Sequence, residues 1–338
     1  MNRFSYVKAE SLDHAISALT ADVGAQIIAG GTNLVDLMKY DVARPSTVID
    51  INDLPLKAIS VLDDGSVRIG ALVSNSDLAY DDDIGERLPL LASAILAGAS
   101  PQLRNAATTG GNLLQRTRCY YFYDPSTACN KREPGSGCSA IGGVNRIHAI
   151  LGTSDQCIAT HPSDMCVALA ALDAVVEVSG PEGSRDIPFL DFHRLPGDDP
   201  ERDNTLRVGE IVVAVRVPKS RFGDHHTYLK LRDRMSYAFA LVSVAAGLEV
   251  DNGVIAAAHI AVGGVAHKPW RRPGAEQMLV GRPLVSATFE DFADALLEGA
   301  VGQGDNDFKI PLARQTIVRA LKQAAAGTPQ KQAKKALR

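Results

Sequence analysis

The stretch IIAGGTNLVDLMK, residues 27–39, couples an apolar pair to two adjacent glycines, a Thr-Asn pair and a run with helical spacing. The order predicts a short strand, a Gly turn and a helix start. Adjacent glycines let backbone N–H groups come close to a phosphate, and a helix start adds partial positive charge there. The G-x-G-x-x-G dinucleotide fingerprint is absent, and a plain tight turn would read the same way. A second stretch, ATTGGNLL at 107–114, repeats the chemistry of hydroxyl, two glycines and an Asn. Two such loops facing each other could hold the two phosphates of a dinucleotide.

Around these loops the pattern is that of an α/β chain. SLDHAISAL (11–19) has helical spacing with Ser11 as N-cap, STVIDIND (46–53) alternates like a strand, and SVRIGALVS (66–74) is another strand. ERLPLLASAILAGAS (86–100) predicts one helix ending at Gly98 and stopped near Pro101, and 101–115 reads as turn-rich. THPSDMCVALAALDAVVEVSG (160–180) predicts a helix and a strand, and TLRVGEIVVAVRVPKS (205–220) a strand ending at Pro218. Residues 226–270 read as strands with a DNG turn at 251–253, and 274–326 as helical. A boundary falls near 221–225. It separates residues 1–222, with parts 1–60 and 61–222, from a domain at 223–327. The basic tail 328–338 reads as a solvated, frayed terminus.

The chain has 338 residues, formal net charge −4 and a pI of about 6.1. That balance argues against nucleic acid or an anionic membrane as the main partner. No run approaches the roughly 18 apolar residues of a membrane helix. The N-terminal residues carry no apolar h-region, so no secretory signal of the chain's own is expected.

HPSDM (161–165) precedes an apolar helix, with Ser163 or Asp164 as an N-cap; a carboxylate there could also accept from a ribose or a flavin edge. His161 has no triad partners nearby. Four of the five cysteines, Cys119, Cys129, Cys138 and Cys157, fall within one irregular segment, separated by nine, eight and eighteen residues. A disulfide framework would be spread through a small secreted domain. The tight C-x2-C knuckles of zinc ribbons and the ferredoxin C-x2-C-x2-C run are both missing. Spacing therefore leaves an iron–sulfur cluster, a zinc site and unrelated thiols open. Cys166, in DMCVALAALDAVV, reads as a small core residue.

Taken in order, IIAGGTNLVDLMK, IGALVS (69–74), GASPQLRNAATTGGNLLQ (98–115), HPSDM, RDRMSYAFALVSVA (232–245) and GGVAHKPWR (263–271) resemble the FAD-binding subunits of the molybdenum hydroxylases, the xanthine dehydrogenase and carbon monoxide dehydrogenase family. The resemblance covers nearly the whole chain. It implies an α+β fold: a two-part α/β FAD-binding domain of the vanillyl-alcohol-oxidase-like (PCMH) type, then a carbon monoxide dehydrogenase flavoprotein C-terminal-like domain. It places Ile28, Ala29, Gly30, Gly31, Thr32, Asn33 and Leu34 along the FAD pyrophosphate. Thr108, Gly111 and Asn112 fall on the phosphate and ribitol side, and Ser163 and Asp164 near the flavin. A basic residue often found in the stretch matching YAFALV is replaced here by apolar ones, so no NAD-docking role is assigned.

Most of the family runs almost directly from the GGN loop to the SDM segment, whereas here roughly fifty residues intervene, with the [4Fe-4S] loop at about 116–160. The insertion resembles that of a branch with an extra [4Fe-4S] cluster, in periplasmic aldehyde oxidoreductases and 4-hydroxybenzoyl-CoA reductases; its wording is closest to the former. This implies Cys119, Cys129, Cys138 and Cys157 as cluster ligands. It also implies an electron-transfer role beside a [2Fe-2S] iron–sulfur subunit and a molybdopterin-binding large subunit, passing electrons to an external acceptor. Location is expected to be the periplasm by co-export with a partner, or the cytoplasm if the complex is not exported. The rival expectations are a 4-hydroxybenzoyl-CoA reductase-like subunit, a stand-alone flavoprotein oxidase with structural zinc, and a binding module whose Gly loops are only turns.

Overall fold

A computed structural model describes residues 1–330; most of the basic tail, residues 331–338, lies outside the described residues. The chain builds three sheets. Strands β1 (Ser5–Lys8), β2 (Gln26–Ile28) and β3 (Thr47–Asp50) form a parallel sheet in the order β1-β3-β2. Parallel neighbours need a crossover, and the helices Leu12–Ala21 and Leu34–Lys39 supply it. Ser11 caps the first of them, its Oγ accepting from His14 N. Ala15 and Ile16 pack on Ile49 and Ile51 in the core of this unit.

Strands β4 (Ile59–Val61), β5 (Val67–Gly70), β6 (Val175–Gly180), β7 (Gly183–Pro188) and β8 (Ile211–Val217) make an antiparallel sheet in the order β4-β5-β8-β6-β7. The second sheet thus begins at Ile59, just ahead of the expected division after residue 60. Strands β9 (His226–Leu231), β10 (Val242–Asp251) and β11 (Val254–Gly263) form the third sheet, antiparallel in the order β11-β10-β9. The expected DNG turn closes the β10–β11 hairpin: Asn252 and Gly253 both have positive φ, 49° and 80°, which a tight two-residue hairpin turn demands. Helices Ser286–Leu296 and Lys309–Ala325 cover this sheet, burying Phe289, Phe292, Ile317 and Leu321.

Every residue of the helix Asp164–Ala171 is buried. A helix apolar on all sides belongs in the interior, and this one joins a core that includes Val176 and Val215 of the second sheet and Tyr228, Ala245 and Ala261 of the third.

Two expectations fail around residue 100. The predicted helix at 86–100 is two helices, Asp82–Arg87 and Pro89–Ala97, because Pro89 lacks the N–H to continue the first and suits the opening position of the second. Pro101 does not stop the chain's helical course. It opens a new helix, Pro101–Ala106, capped by Ser100, and Thr109–Leu113 follows with Thr108 as cap. The turn-like composition of 101–115 comes from these caps, not from irregular backbone.

Candidate cofactor and cluster sites

The two Gly-Gly loops meet. A Cβ on Gly30 would lie 1.8 Å from Ala106 O, so only glycine lets the first loop pass under the second. Gly31 has φ +70°, where glycine is again favoured. The second loop is tied to the segment just past β5, Thr109 N donating to Val73 O and Gly110 N to Ala71 O, while Gly111 N turns back to Thr108 Oγ1. Its amides are therefore occupied. The first loop is different. Among the described residues, no protein group accepts from the amides of Gly30, Gly31, Thr32 or Asn33. Asn33 Oδ1 accepts from Arg116 N at 2.9 Å, which leaves its buried Nδ2 without a partner. Open amides and an unpaired buried donor fit an anionic ligand.

Two clefts join at this point. One, of about 500 Å³, is lined by residues 26–34, Thr108, Gly111, Arg116 and Asp203. The other, of about 680 Å³, runs past Asn112, Ser163, Asp164, Arg104 and Lys230. Thr32, Asn33 and Gly111 line both. Both clefts thus border the loops, which suits a dinucleotide whose phosphates lie on the shared residues.

In the second cleft Ser163 acts locally. Its hydroxyl donates to Asn112 Oδ1 at 2.6 Å and accepts from Cys166 N, capping the buried helix. Asp164 faces the cleft with both oxygens engaged: Tyr228 Oη donates to one at 2.6 Å and Lys230 Nζ to the other at 2.7 Å. Burial and the Asp164 charge push the Tyr228 hydroxyl well above its ordinary range. Arg104, 7% exposed, donates to Gly98 O and leaves Nε without a partner. The sequence reading missed Arg104 and Lys230. The signal for Lys230 was a lone cation in the apolar strand HTYLKL.

Cys119, Cys129, Cys138 and Cys157 line one small pocket with Asn130, Lys131 and Gln156. Cys119, Cys129 and Cys157 are buried, Cys138 is half-buried, and all are free thiols. Asn130 clamps the loop: its amide donates to Gln156 O and Oε1, and its Oδ1 accepts from Gly137 N. Burial pushes Cys119 up to about 12 and Cys157 up to about 11, which by itself favours the thiol; a metal that binds the sulfurs reverses that balance. Mononuclear zinc, with Zn–S near 2.3 Å, would hold its sulfurs about 3.8 Å apart. Among the described residues, the one set of three or more ligand atoms within 4.8 Å of one another is His161, Cys166 and His193; the four loop cysteines form no such set. No three of the four sulfurs thus stand as close together as a tetrahedral zinc site would hold them.

The His161–Cys166–His193 set does not read as a metal site. His193 Nε2 lies 2.8 Å from Leu113 O, so it carries the hydrogen, and His161 Nδ1 accepts from Ser163 N. His161 therefore presents an N–H, not a lone pair, at Nε2. Burial pushes Cys166 up to about 12, as suits a core thiol.

The loops, the clefts and the sheet-and-helix C-terminal part together suit a flavin-carrying subunit. Family models match the chain as the FAD binding domain in molybdopterin dehydrogenase over residues 2–220 and as the CO dehydrogenase flavoprotein C-terminal domain over 226–324. The chain belongs to the FAD-binding subunits of the molybdenum hydroxylase family and is an oxidoreductase subunit. It is 48% identical over 327 residues, 96% of this chain and 99% of the relative, to the aldehyde oxidoreductase FAD-binding subunit PaoB of Escherichia coli K12. Carbon monoxide dehydrogenase from Hydrogenophaga pseudoflava superposes with a TM-score of 0.76 at 27% identity, covering 96% of this chain and 98% of that one. Quinoline 2-oxidoreductase from Pseudomonas putida 86 does so with a TM-score of 0.74 at 26% identity, covering 97% and 98%.

Proposed function

We propose that this chain is the FAD and [4Fe-4S] electron-transfer subunit of a molybdenum-containing aldehyde oxidoreductase. It would work beside a [2Fe-2S] subunit and a molybdopterin-binding large subunit. The observation that carries the cluster is the single pocket lined by all four loop cysteines, with sulfurs spread wider than one zinc ion would hold them. The aldehyde assignment is supported by the 48% identity to an aldehyde oxidoreductase FAD-binding subunit over almost the full length of both chains.

When bound, FAD would exchange between one- and two-electron transfer and a cubane would relay single electrons. The chain's own residues bind and orient. The open amides at 30–33 and Asn33 Nδ2 receive the phosphates, and Gly111 keeps the junction clear. Asn112 and Ser163 brace each other along the second cleft, and the Asp164–Lys230 pair closes its buried wall. Cys119, Cys129, Cys138 and Cys157, which line one pocket with Lys131, would hold the cluster.

The substrate site is placed on the large subunit, and export, where it occurs, on a partner's signal. The test is anaerobic purification of the chain with and without its partners. Near-stoichiometric flavin, about four iron and four sulfide per chain, and dye-linked aldehyde oxidation in the complex alone are expected. Zinc in place of iron would overturn the cluster. Aldehyde oxidation by the isolated chain would overturn the division of labour. Retention of the co-expressed complex in the cytoplasm would remove the periplasmic location.

A further inference from the structure

His148 lies in the cysteine segment, 1% exposed, with Nε2 3.0 Å from Cys119 Sγ. We propose that His148 is a positioning residue that donates an N–H···S hydrogen bond to the Cys119 thiolate and thereby sets the reduction potential of the cluster; this rests on the [4Fe-4S] reading above.

A thiolate bound to iron has no hydrogen to give, so the hydrogen of this contact belongs to Nε2. The other ring nitrogen agrees. Nδ1 is buried and has no hydrogen-bond partner, as expected of the bare nitrogen of that tautomer. The ring is held from a distance. The His148 carbonyl accepts from Asn306 Nδ2 at 3.1 Å and from Lys309 Nζ at 2.8 Å. Both donors are fully buried, and both come from the C-terminal domain, at the start of the helix Lys309–Ala325. His148 N also donates to Asn145 O, and Asn145 Nδ2 in turn reaches Gln303 O. The C-terminal domain therefore aims the imidazole at a cysteine of the inserted loop. Among the other three cysteines, Cys157 Sγ receives the backbone amide of Ala159 at 3.4 Å, and no side chain donates to any of their sulfurs among the described residues.

A donor on a ligating sulfur draws electron density from the cluster and favours its more negative, reduced state, which raises the potential. The assembled complex bearing His148→Leu, His148→Gln or Asn306→Ala should be compared with the parent by iron, sulfide and flavin content and by potentiometric EPR of the cubane signal. His148→Leu should keep its iron and titrate at a lower potential. His148→Gln, which retains an amide donor, should fall between it and the parent. Asn306→Ala, which loosens the backbone at His148 and Ala149 and frees Gln303 N without touching the imidazole, should shift in the same direction by less. The flavin couple should stay where it is. An unchanged cubane potential in His148→Leu overturns the proposal. If that variant loses its cluster, an unchanged potential in Asn306→Ala does so instead. Loss of iron from all three would mark His148 as purely structural and equally overturn the tuning role. A parent complex with zinc or without iron is a different result: it removes the cluster itself, and this role with it.

Discussion

Asp203 accepts from two cations that belong to different sites. Arg116 Nε, from the wall of the first cleft, lies 2.7 Å from Oδ2, and Lys131 Nζ, from the cysteine loop, donates to Oδ1. Lys131 is 2% exposed and also donates to Pro200 O. His267 Nε2 stands 3.5 Å away. Burial alone would raise the Asp203 carboxyl, but the charges of Arg116 and Lys131 outweigh it and hold the group well below the usual carboxylate range. One carboxylate thus ties the first cleft to the cysteine pocket.

Asp203→Asn should cost about 3 kcal/mol, because it strands a buried ammonium. The sign of the pH effect follows from the depressed value in the folded state. The carboxylate's contribution is present above the unfolded value of about 4 and is lost as pH falls below it. The stability gap between parent and variant should be constant near neutrality and narrow only below about pH 4. Urea unfolding at a series of pH values measures it, and a gap that narrows between pH 8 and 6 would contradict the assignment.

The Asp164–Lys230 pair is buried on both sides, with side chains 9% and 1% exposed. Lys230→Met leaves a carboxylate with only the Tyr228 hydroxyl and should destabilise by about 3 kcal/mol. Asp164→Asn combined with Lys230→Met should cost clearly less than the sum of the single changes. A double-mutant cycle by denaturant unfolding decides this; strict additivity would mean that the pair is not coupled.

Gly30 and Gly111 separate folding from binding. Gly30→Ala drives a Cβ into Ala106 O and should cost about 2 kcal/mol or more in stability. At Gly111 a Cβ meets just Thr108 Oγ1, at 3.0 Å, and the position opens onto both clefts. Gly111→Leu should fold with a nearly unchanged melting temperature and carry little flavin, read from absorbance of the purified protein. Full flavin occupancy in Gly111→Leu would move the phosphates elsewhere.

Cys119→Ser, Cys129→Ser, Cys138→Ser and Cys157→Ser should each abolish or degrade the cubane. Cys166→Ala should keep about four iron per chain and lose only the packing of a small core side chain. Iron retention across the first four, or its loss in the last, shows that the ligand set is drawn wrongly.

Much of the fold was legible because its signals are local. The cap at Ser11, the Asn252–Gly253 turn, the alternation around β3 and the apolar run of β8 depend on neighbours within a few residues. The helix at Asp164–Ala171 was legible for the same reason: Ser163 before an apolar run is a helix start wherever it sits. The failures around Pro89 and Pro101 are also local, and arose because a proline that ends one helix can equally begin the next.

By itself the sequence determined the family, the two Gly loops and the confinement of four cysteines to one segment, since each is a matter of residue type and spacing along the chain. It could not say which amides stay open. That depends on the carbonyls of Ala71 and Val73, just past the end of β5, occupying one loop's N–H groups and leaving the other's alone. Nor could it pair Asp203 with Lys131, 72 residues away, or His148 with Asn306, 158 away. Charge pairing and hydrogen bonding act over a few ångströms of space and are blind to distance along the chain, so those contacts exist only once the three sheets have packed together.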